Sequence, residues 1–415
     1  MMEAKTVEIT AQCLCKDHAF TARIPSTLLP LRASCCHCDS CRHNTGALYS
    51  SDTPWSGSAA AVRESSLRRY KFSERVNVLF CGRCSSPMFF EEKNGGEEEP
   101  PTYGVFTGVL RGEYPDGVDG VLLVRIVEHM FVGDTLDGGA SCWLRRPHGD
   151  DAPPAKIWLG KRGSSDEVDY PNLWPAVADL PAPDAKLAQD EIPIRCVCGG
   201  VDLVLKAGEA QREHASAQEV DRGPPVVDPT SHKSLGTFDG CNSCRLSSGV
   251  DMFHWSFYLL KYISFPPKGG DGKGDFPNHT AELRAAVDVE EEKGRDPRLG
   301  TLTYYSSSPD VQRYFCSRCS ACVFYAVDER PYLVDLSIGL LWSPDGARAE
   351  GAISWSWGGK TSHRQDMLGG WREGLVQAIE KDAEEWRIER GYHINWRRAA
   401  REQAEREAAE KGETK

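Results

Sequence analysis

Sixteen cysteines are the residues of this 415-residue chain best equipped for chemistry, and all but Cys142 fall into tight groups. The groups are Cys13 and Cys15; Cys35, Cys36, Cys38 and Cys41; Cys81 and Cys84; Cys196 and Cys198; Cys241 and Cys244; and Cys316, Cys319 and Cys322. In a tight turn, a Cys-x-Cys or Cys-x-x-Cys pair presents two thiolates to one ion at roughly 2.3 Å, and two such pairs complete a tetrahedron. An ion that staples a fold joins pairs distant in sequence, so Cys13, Cys15, Cys81 and Cys84 are expected to close one four-thiolate site. Cys36, Cys38 and Cys41 are then left clustered with a free coordination position. A closed site stabilises a fold, whereas an open one can do chemistry.

Both halves of the chain present Cys-x-Cys, then Cys-x-x-Cys-Arg-x-x-x-Gly, then an aromatic residue with Cys-x-x-Cys, in the same order, which marks an internal repeat. Cys38-Asp39-Ser40-Cys41-Arg42 with Gly46 corresponds to Cys241-Asn242-Ser243-Cys244-Arg245 with Gly249, and Phe80-Cys81 to Cys84 corresponds to Phe315-Cys316 to Cys319. Cys13 to Cys84 spans 84 − 13 = 71 positions and Cys196 to Cys319 spans 319 − 196 = 123, a surplus of 52 in the second half. The polar stretch Gly208 to Pro225 and the Gly, Lys and Pro-rich stretch Pro266 to Gly300 account for it as surface insertions. The Pro-rich segment between the repeats reads as an extended linker. The expected layout is a first domain over 1–145, a linker over 146–190, a second, degenerate domain over 191–362 and a helical tail over 363–415.

The motif series Cys13-Leu14-Cys15, Cys36-His37-Cys38-Asp39-Ser40-Cys41-Arg42 and Phe80-Cys81-Gly82-Arg83-Cys84 resembles the glutathione-dependent formaldehyde-activating enzyme family, also called the centromere protein V domain. The resemblance covers about 130 residues of the first half and, less well, Ile194 to about Leu341. It implies a mainly β fold of the Mss4-like type, here as two zinc-stapled domains in tandem. It further implies a structural zinc in the four-cysteine site, a second zinc on Cys36, Cys38 and Cys41, and carbon–sulfur chemistry of the kind that joins glutathione and formaldehyde as S-hydroxymethylglutathione. The expected function is therefore that of a zinc-dependent carbon–sulfur lyase acting on adducts of glutathione, or another small thiol, with an aldehyde. In the second half Cys196, Cys198, Cys316 and Cys319 keep the closed set, but Asp239 and Gly240 stand where the first repeat has Cys36 and His37. A mixed zinc site on Asp239, Cys241 and Cys244 is conceivable by chemistry, and a vacant or merely packed site is the expectation. A rival class is a non-catalytic zinc-binding scaffold or protein-interaction module.

The net charge of 49 − 61 = −12 gives no overall attraction to nucleic-acid phosphates or anionic lipid, and no basic patch supports a nuclear or cytoskeletal partner. The apolar run Gly120 to Val132 is broken by Arg125, Glu128 and His129, so no membrane span is expected. The first ten residues carry charges and no signal-like apolar run, which makes a cytoplasmic or nuclear location the expectation and metal ligation the economical use of the thiols.

The elements that must position these groups read as short strands: Val76 to Phe80, Met88 to Phe90, Val121 to Val127 and Tyr332 to Leu341. Only the tail looks helical. From about Gln365, Leu368, Trp371, Leu375, Ile379 and Trp386 follow an amphipathic spacing expected to dock on the second domain, and the Ala-rich and charged end beyond Arg397 should be solvated. His37, between two ligands, should point away from the ion. Cys35 and Cys322 read as small buried residues, His129 as a structural strand residue, Trp355 and Trp357 as the cover of a sheet face, and Glu97 to Glu99 as a solvated loop.

Overall fold

β-Branched and aromatic runs bounded by Gly, Asp and Pro become strands throughout the computed structural model, which describes residues 5–93, 100–114, 122–183, 186–216, 226–267, 274–290 and 293–410. The first half contributes β1 (Thr6–Gln12), β2 (Ala19–Pro25), β3 (Leu31–Cys36), β4 (Ser50–Pro54), β5 (Arg68–Lys71), β6 (Val76–Phe80), β7 (Pro87–Glu92), β8 (Thr102–Phe106) and β9 (Val124–Met130), and the next segment adds β10 (Lys156–Trp158) and β11 (Glu167–Val168). The second half contributes β12 (Ile192–Arg195), β13 (Asp202–Leu205), β14 (Ser234–Asp239), β15 (Phe253–Leu259), β16 (Ile263–Ser264), β17 (Leu302–Ser308), β18 (Val311–Cys316), β19 (Cys322–Val327), β20 (Leu333–Ser337) and β21 (Ile353–Trp355). The mainly β expectation is met.

The repeat is visible in the sheet order. One large sheet runs β11-β10-β9-β3-β4-β8-β7-β6-β5, and the other runs β21-β14-β15-β20-β19-β18-β17, so the order from β9 to β5 is repeated strand for strand. Each half also carries a Cys-x-Cys hairpin strand pair, β1-β2 and β12-β13. In both large sheets the strand entering the Cys-x-x-Cys turn lies antiparallel to the next strand and parallel to the last: β3 to β4 and β9, and β14 to β15 and β21. The segment between the repeats is tied into the first sheet, where β10 runs parallel to β9 and antiparallel to β11. Glu97 to Glu99 lie outside the described residues.

Helices are more widespread than the tail alone. They are α1 (Asp39–Thr45), α2 (Ala59–Arg63), α3 (Ala207–Ser216), α4 (Asn242–Ser248), α5 (Thr280–Asp288), α6 (Glu373–Arg390) and α7 (Trp396–Glu410). α3 and α5 fall inside the two stretches read as loop-like insertions. Both are rich in Ala, Glu and Arg, and helix-forming residues prevail locally. The amphipathic helix starts at Glu373 rather than near Gln365, because Arg364–Met367 form only a 3-10 turn and Gly369 adopts a left-handed backbone (φ +71°) that separates it from the helix.

α6 meets the second half as expected, with Arg348 over the Trp386 ring and Thr361 N donating to Glu380 Oε1 at 2.9 Å, but it docks on the first half as well. It packs against the 3-10 turn Gly139–Trp143 of the first half, and its Asp382 accepts from Arg146 N (2.8 Å) and Arg146 Nη2 (2.7 Å). Arg372, just before α6, forms a buried ion pair with Asp251 (2.7 Å) while donating to Thr107 O and Leu110 O of the first half. Buried Trp143 lies 5.0 Å from Phe238, 5.4 Å from Trp355 and 5.5 Å from Trp357 between ring centroids, so the two tryptophans cover a sheet face by closing a core shared between the halves.

The Arg-x-x-x-Gly part of each motif acquires a structural meaning here. Gly46 (φ +78°) and Gly249 (φ +77°) end α1 and α4 in the left-handed conformation, their N–H groups returning to Arg42 O and Arg245 O at 2.8 Å each. Their carbonyls then receive Gly339 N–H (3.0 Å) and Gly108 N–H (2.9 Å) from the opposite half. A Cβ on Gly46 or Gly108 would collide with the partner half's backbone at Cys322 or Gly249.

Candidate metal centres

Four groups of metal-capable side chains form among the described residues, and each coincides with a cluster read from the sequence. Cys13, Cys15, Cys81 and Cys84 come together where the β1–β2 hairpin meets the turn between β6 and β7. Cys13 Sγ is 3.6 Å from Cys15 Sγ, which is 3.5 Å from Cys81 Sγ. Cys196, Cys198, Cys316 and Cys319 repeat the arrangement with Cys198 Sγ 3.5 Å from both Cys196 Sγ and Cys316 Sγ. These spacings are close to the roughly 3.8 Å edge of a tetrahedron with ~2.3 Å metal–sulfur bonds. N–H groups also point at the sulfurs as a thiolate site requires: His18 N to Cys13 (3.3 Å), Cys15 N to Cys84 (3.4 Å), Val201 N to Cys196 (3.2 Å) and Cys319 N to Cys316 (3.4 Å).

The third group is Cys36, Cys38 and Cys41, and no fourth Cys, His, Asp or Glu joins it within 4.8 Å among the described residues. Cys36 ends β3, Cys38 caps α1, and Cys41 lies in the first turn of α1, so the strand-to-helix corner alone gathers the three sulfurs. Cys41 is buried, while Cys36 and Cys38 are half-buried. Cys38 Sγ accepts from Cys36 Sγ at 3.5 Å and from Cys41 N–H at 3.4 Å. Hydrogen bonds from Cys36 and then Cys41 hold the Cys38 thiol down to about 3.

His37 points to the opposite side of β3, as expected. Its Nε2 is 3.0 Å from His129 Nδ1, and His129 Nε2 is 2.9 Å from Leu144 O, with both imidazoles fully buried. Burial lowers both histidines, His129 to about 4. Cys35 and Cys322 are buried outside the clusters.

In the fourth group Asp239, Cys241 and Cys244 converge at the corner between β14 and α4. Asp239 Oδ2 accepts from Trp255 Nε1 (3.0 Å) and Oδ1 from Cys241 N (2.8 Å). Arg313 Nη1 donates to Cys244 Sγ at 3.5 Å, and His363 Nδ1 lies 3.3 Å from Asp239 Oδ1. Neither Arg313 nor His363 was singled out from sequence, because Arg313 sits mid-strand and His363 follows Asp239 by more than a hundred residues.

Sequence reading also passed over a polar shelf beside the first open group. Ser34 precedes Cys36 by two residues on β3 and so shares its face, and it is paired with Asp52 of β4 on one side and Glu128 of β9 on the other. Ser34 Oγ and Arg162 Nη1 both donate to Glu128 Oε1 at 2.7 Å. Burial, with Glu92 and Glu128 adding repulsion, pushes the Asp52 carboxyl up to about 7. Two-residue alternation back from Cys36 was the signal that could have exposed Ser34, but the cross-strand partners depend on register.

Residues 8–118 match the model of a family described as glutathione-dependent formaldehyde-activating enzyme, a span that holds the three cysteine motifs of the first half. No curated protein and no solved structure matches the chain. The match bears out the resemblance read from the motifs, and with the thiol clusters it supports a metal-binding domain of this family's type in the first half.

Proposed function

We propose that the first half is a carbon–sulfur lyase-like enzyme that makes or breaks the adduct of glutathione, or a similar small thiol, with an aldehyde. The observation that carries this reading is a three-thiolate group with no fourth ligand among the described residues, two of its cysteines half-buried, on the same sheet face as Asp52, whose carboxyl burial pushes up to about 7.

The donor set fits zinc: three thiolates suit a borderline-soft ion, and the arrangement leaves a position for an external ligand. A bound zinc supplies a lowered pKa for a thiol that coordinates it and Lewis-acid polarisation. Cys36, Cys38 and Cys41 would hold the ion, with the Cys41 N–H supporting the Cys38 sulfur. Asp52 carries the proton. As the thiolate sulfur attacks the aldehyde carbon, the carbon–sulfur bond forms, the carbonyl π bond breaks, and the oxygen takes the proton from the Asp52 carboxyl. In the lyase direction the Asp52 carboxylate removes that hydroxyl proton and the carbon–sulfur bond returns its electrons to sulfur. Arg162, Ser34 and Glu128 supply polar contacts for the ammonium and carboxylate groups of a tripeptide thiol. The two Cys₄ groups, in this reading, hold structural zinc and take no part in turnover.

Exchange NMR of the glutathione–formaldehyde adduct tests the proposal. The full chain should accelerate adduct exchange, Cys38→Ser should lose the acceleration, and Asp52→Asn should lower it by roughly 10²-fold or more, the usual worth of a positioned proton donor. Exchange no faster with the wild-type chain than with folded Cys38→Ser would overturn it.

A further inference from the structure

We infer that the second half holds a closed metal centre of its own, with Asp239, Cys241, Cys244 and His363 as ligands and Arg313 as the charge that balances it. This goes beyond the function proposed for the first half and assigns a fourth ligand that the cysteine motifs do not contain.

Three of the four ligand atoms already lie within 4.8 Å of one another. The fourth is 3.3 Å from the first: His363 Nδ1 to Asp239 Oδ1. Oxygen and nitrogen ligands at roughly 2.0–2.1 Å around a tetrahedral ion stand about 3.4 Å apart, so this pair already has the length of one tetrahedral edge. The imidazole side chain is 57% exposed, so it has room to rotate about its own bonds to complete the tetrahedron.

The repeat identifies what has changed. His37 N–H reaches Met130 O and Gly240 N–H reaches Ser362 O, each at 2.9 Å, so the residues that follow, Phe131 and His363, occupy the same corner. Both adopt a left-handed backbone, at φ +56° and +53°, and both open a 3-10 turn. Where the first half has the thiolate Cys36 with apolar Phe131 beside it, the second has the carboxylate Asp239 with a ligating side chain beside it. A weaker ligand and an additional ligand arrive together.

The charge count agrees. Two thiolates, one carboxylate and a divalent cation sum to −1, which is costly in a buried corner. Arg313 is buried, donates to Cys244 Sγ at 3.5 Å, and brings the total to zero. Its counterpart is Val78, since Arg313 lies opposite Tyr325 as Val78 lies opposite Phe90. Trp255 Nε1 and Cys241 N–H orient the two carboxylate oxygens, as donors around a metal's ligands do. With all four positions taken by this chain, the centre accepts no thiol substrate. It is structural.

Cadmium-113 NMR of the cadmium-loaded full chain tests this, because each centre gives its own resonance and oxygen or nitrogen ligands move it upfield of sulfur-only sites. Four resonances are expected, one of them well upfield and absent in Cys241→Ser. His363→Ala should move that resonance alone and weaken cadmium binding there at least about tenfold, the other three reporting an intact fold. His363→Cys should restore binding and move the resonance downfield. No resonance that depends on Cys241, with Cys241 and Cys244 alkylating as free thiols in the loaded protein, would overturn the site. A resonance that depends on Cys241 yet ignores both His363 variants would overturn the ligand set.

Discussion

Lowering the pH from 7 to 5 should destabilise the wild-type chain more than a His129→Gln variant, by about 2 kcal/mol. His129 is fully buried, and its Nε2–H donates to Leu144 O at 2.9 Å, which leaves Nδ1 to accept from His37 Nε2 at 3.0 Å. An imidazolium would need a second proton at Nδ1, pointing at the His37 donor. Burial accordingly lowers His129 from 6.5 to about 4. A depressed folded-state value means that the native chain binds fewer protons, so stability is intact above 6.5 and is lost as pH falls toward 4. At pH 5 an unfolded histidine is protonated about 30 to 1 and the native one about 1 to 10, and at ~1.4 kcal/mol per decade the difference costs about 2 kcal/mol. At pH 7 the same sum gives only about 0.2 kcal/mol. His148, lowered to about 4, and His254, lowered to about 3, add the same sign, so the wild-type slope alone is not diagnostic. Urea denaturation of both proteins at pH 7 and pH 5, with metal and reductant fixed, isolates His129 as a difference of differences, and acid-driven metal loss common to both proteins cancels. A double difference below about 0.5 kcal/mol would refute the neutral His37–His129–Leu144 relay.

The division of labour among cysteines predicts that Cys38→Ser abolishes thiol–aldehyde turnover while Cys81→Ser unfolds the first half, since a structural zinc can contribute on the order of 10 kcal/mol. Equal melting and equal activity in the two variants, by calorimetry and adduct exchange, would show the division to be wrong. Cys244→Ser should change turnover less than about threefold, under 1 kcal/mol on the barrier, and a hundredfold loss with the first-half metal retained would reverse the roles of the halves. Arg372→Ala leaves Asp251 charged and buried, and should cost about 3–5 kcal/mol in chemical denaturation; a cost below 1 kcal/mol would mean that the Arg372–Asp251 pair does not hold the tail to the two halves.

All four clusters were legible in the cysteine spacing, because a thiol pair in a tight turn carries its geometry with it. Strand β6 follows from local patterning, and the like build of the two halves from the repeat. What escaped was whatever depends on register or on contacts between the halves. Asp52 and Glu128 are ordinary strand residues until β4 and β9 flank Ser34. His363 is an ordinary surface histidine until β21 runs parallel to β14 and delivers it to Asp239. α6 is amphipathic on its own, but its docking onto Gly139–Trp143 was hidden because its partner turn, rich in Gly, Ala and Ser, has no pattern that marks it as a surface for a helix.

The contacts between the halves explain why the second copy persists with an altered site. Each site helix is seated on the other half's closed cluster. Asn44 of α1 donates to Cys319 O at 2.6 Å and His43 Nδ1 lies 2.8 Å from Arg195 O, while Ser85, beside Cys84, donates to Ser247 O of α4 at 3.2 Å. A first half alone would exchange these contacts for water and would expose Trp143, whose neighbours Phe238, Trp355 and Trp357 belong to the second half. The second half is thus part of the support for Cys36, Cys38 and Cys41 whatever its own corner binds. Where the halves differ in chemistry, at Asp239, Arg313 and His363, the residues surround the second corner. Where they touch, at Gly46 with Gly339 and Gly249 with Gly108, both copies make the same hydrogen bond. A residue facing only its own corner can change with its neighbours, but one that ends a helix against the opposite backbone has no space in which to change.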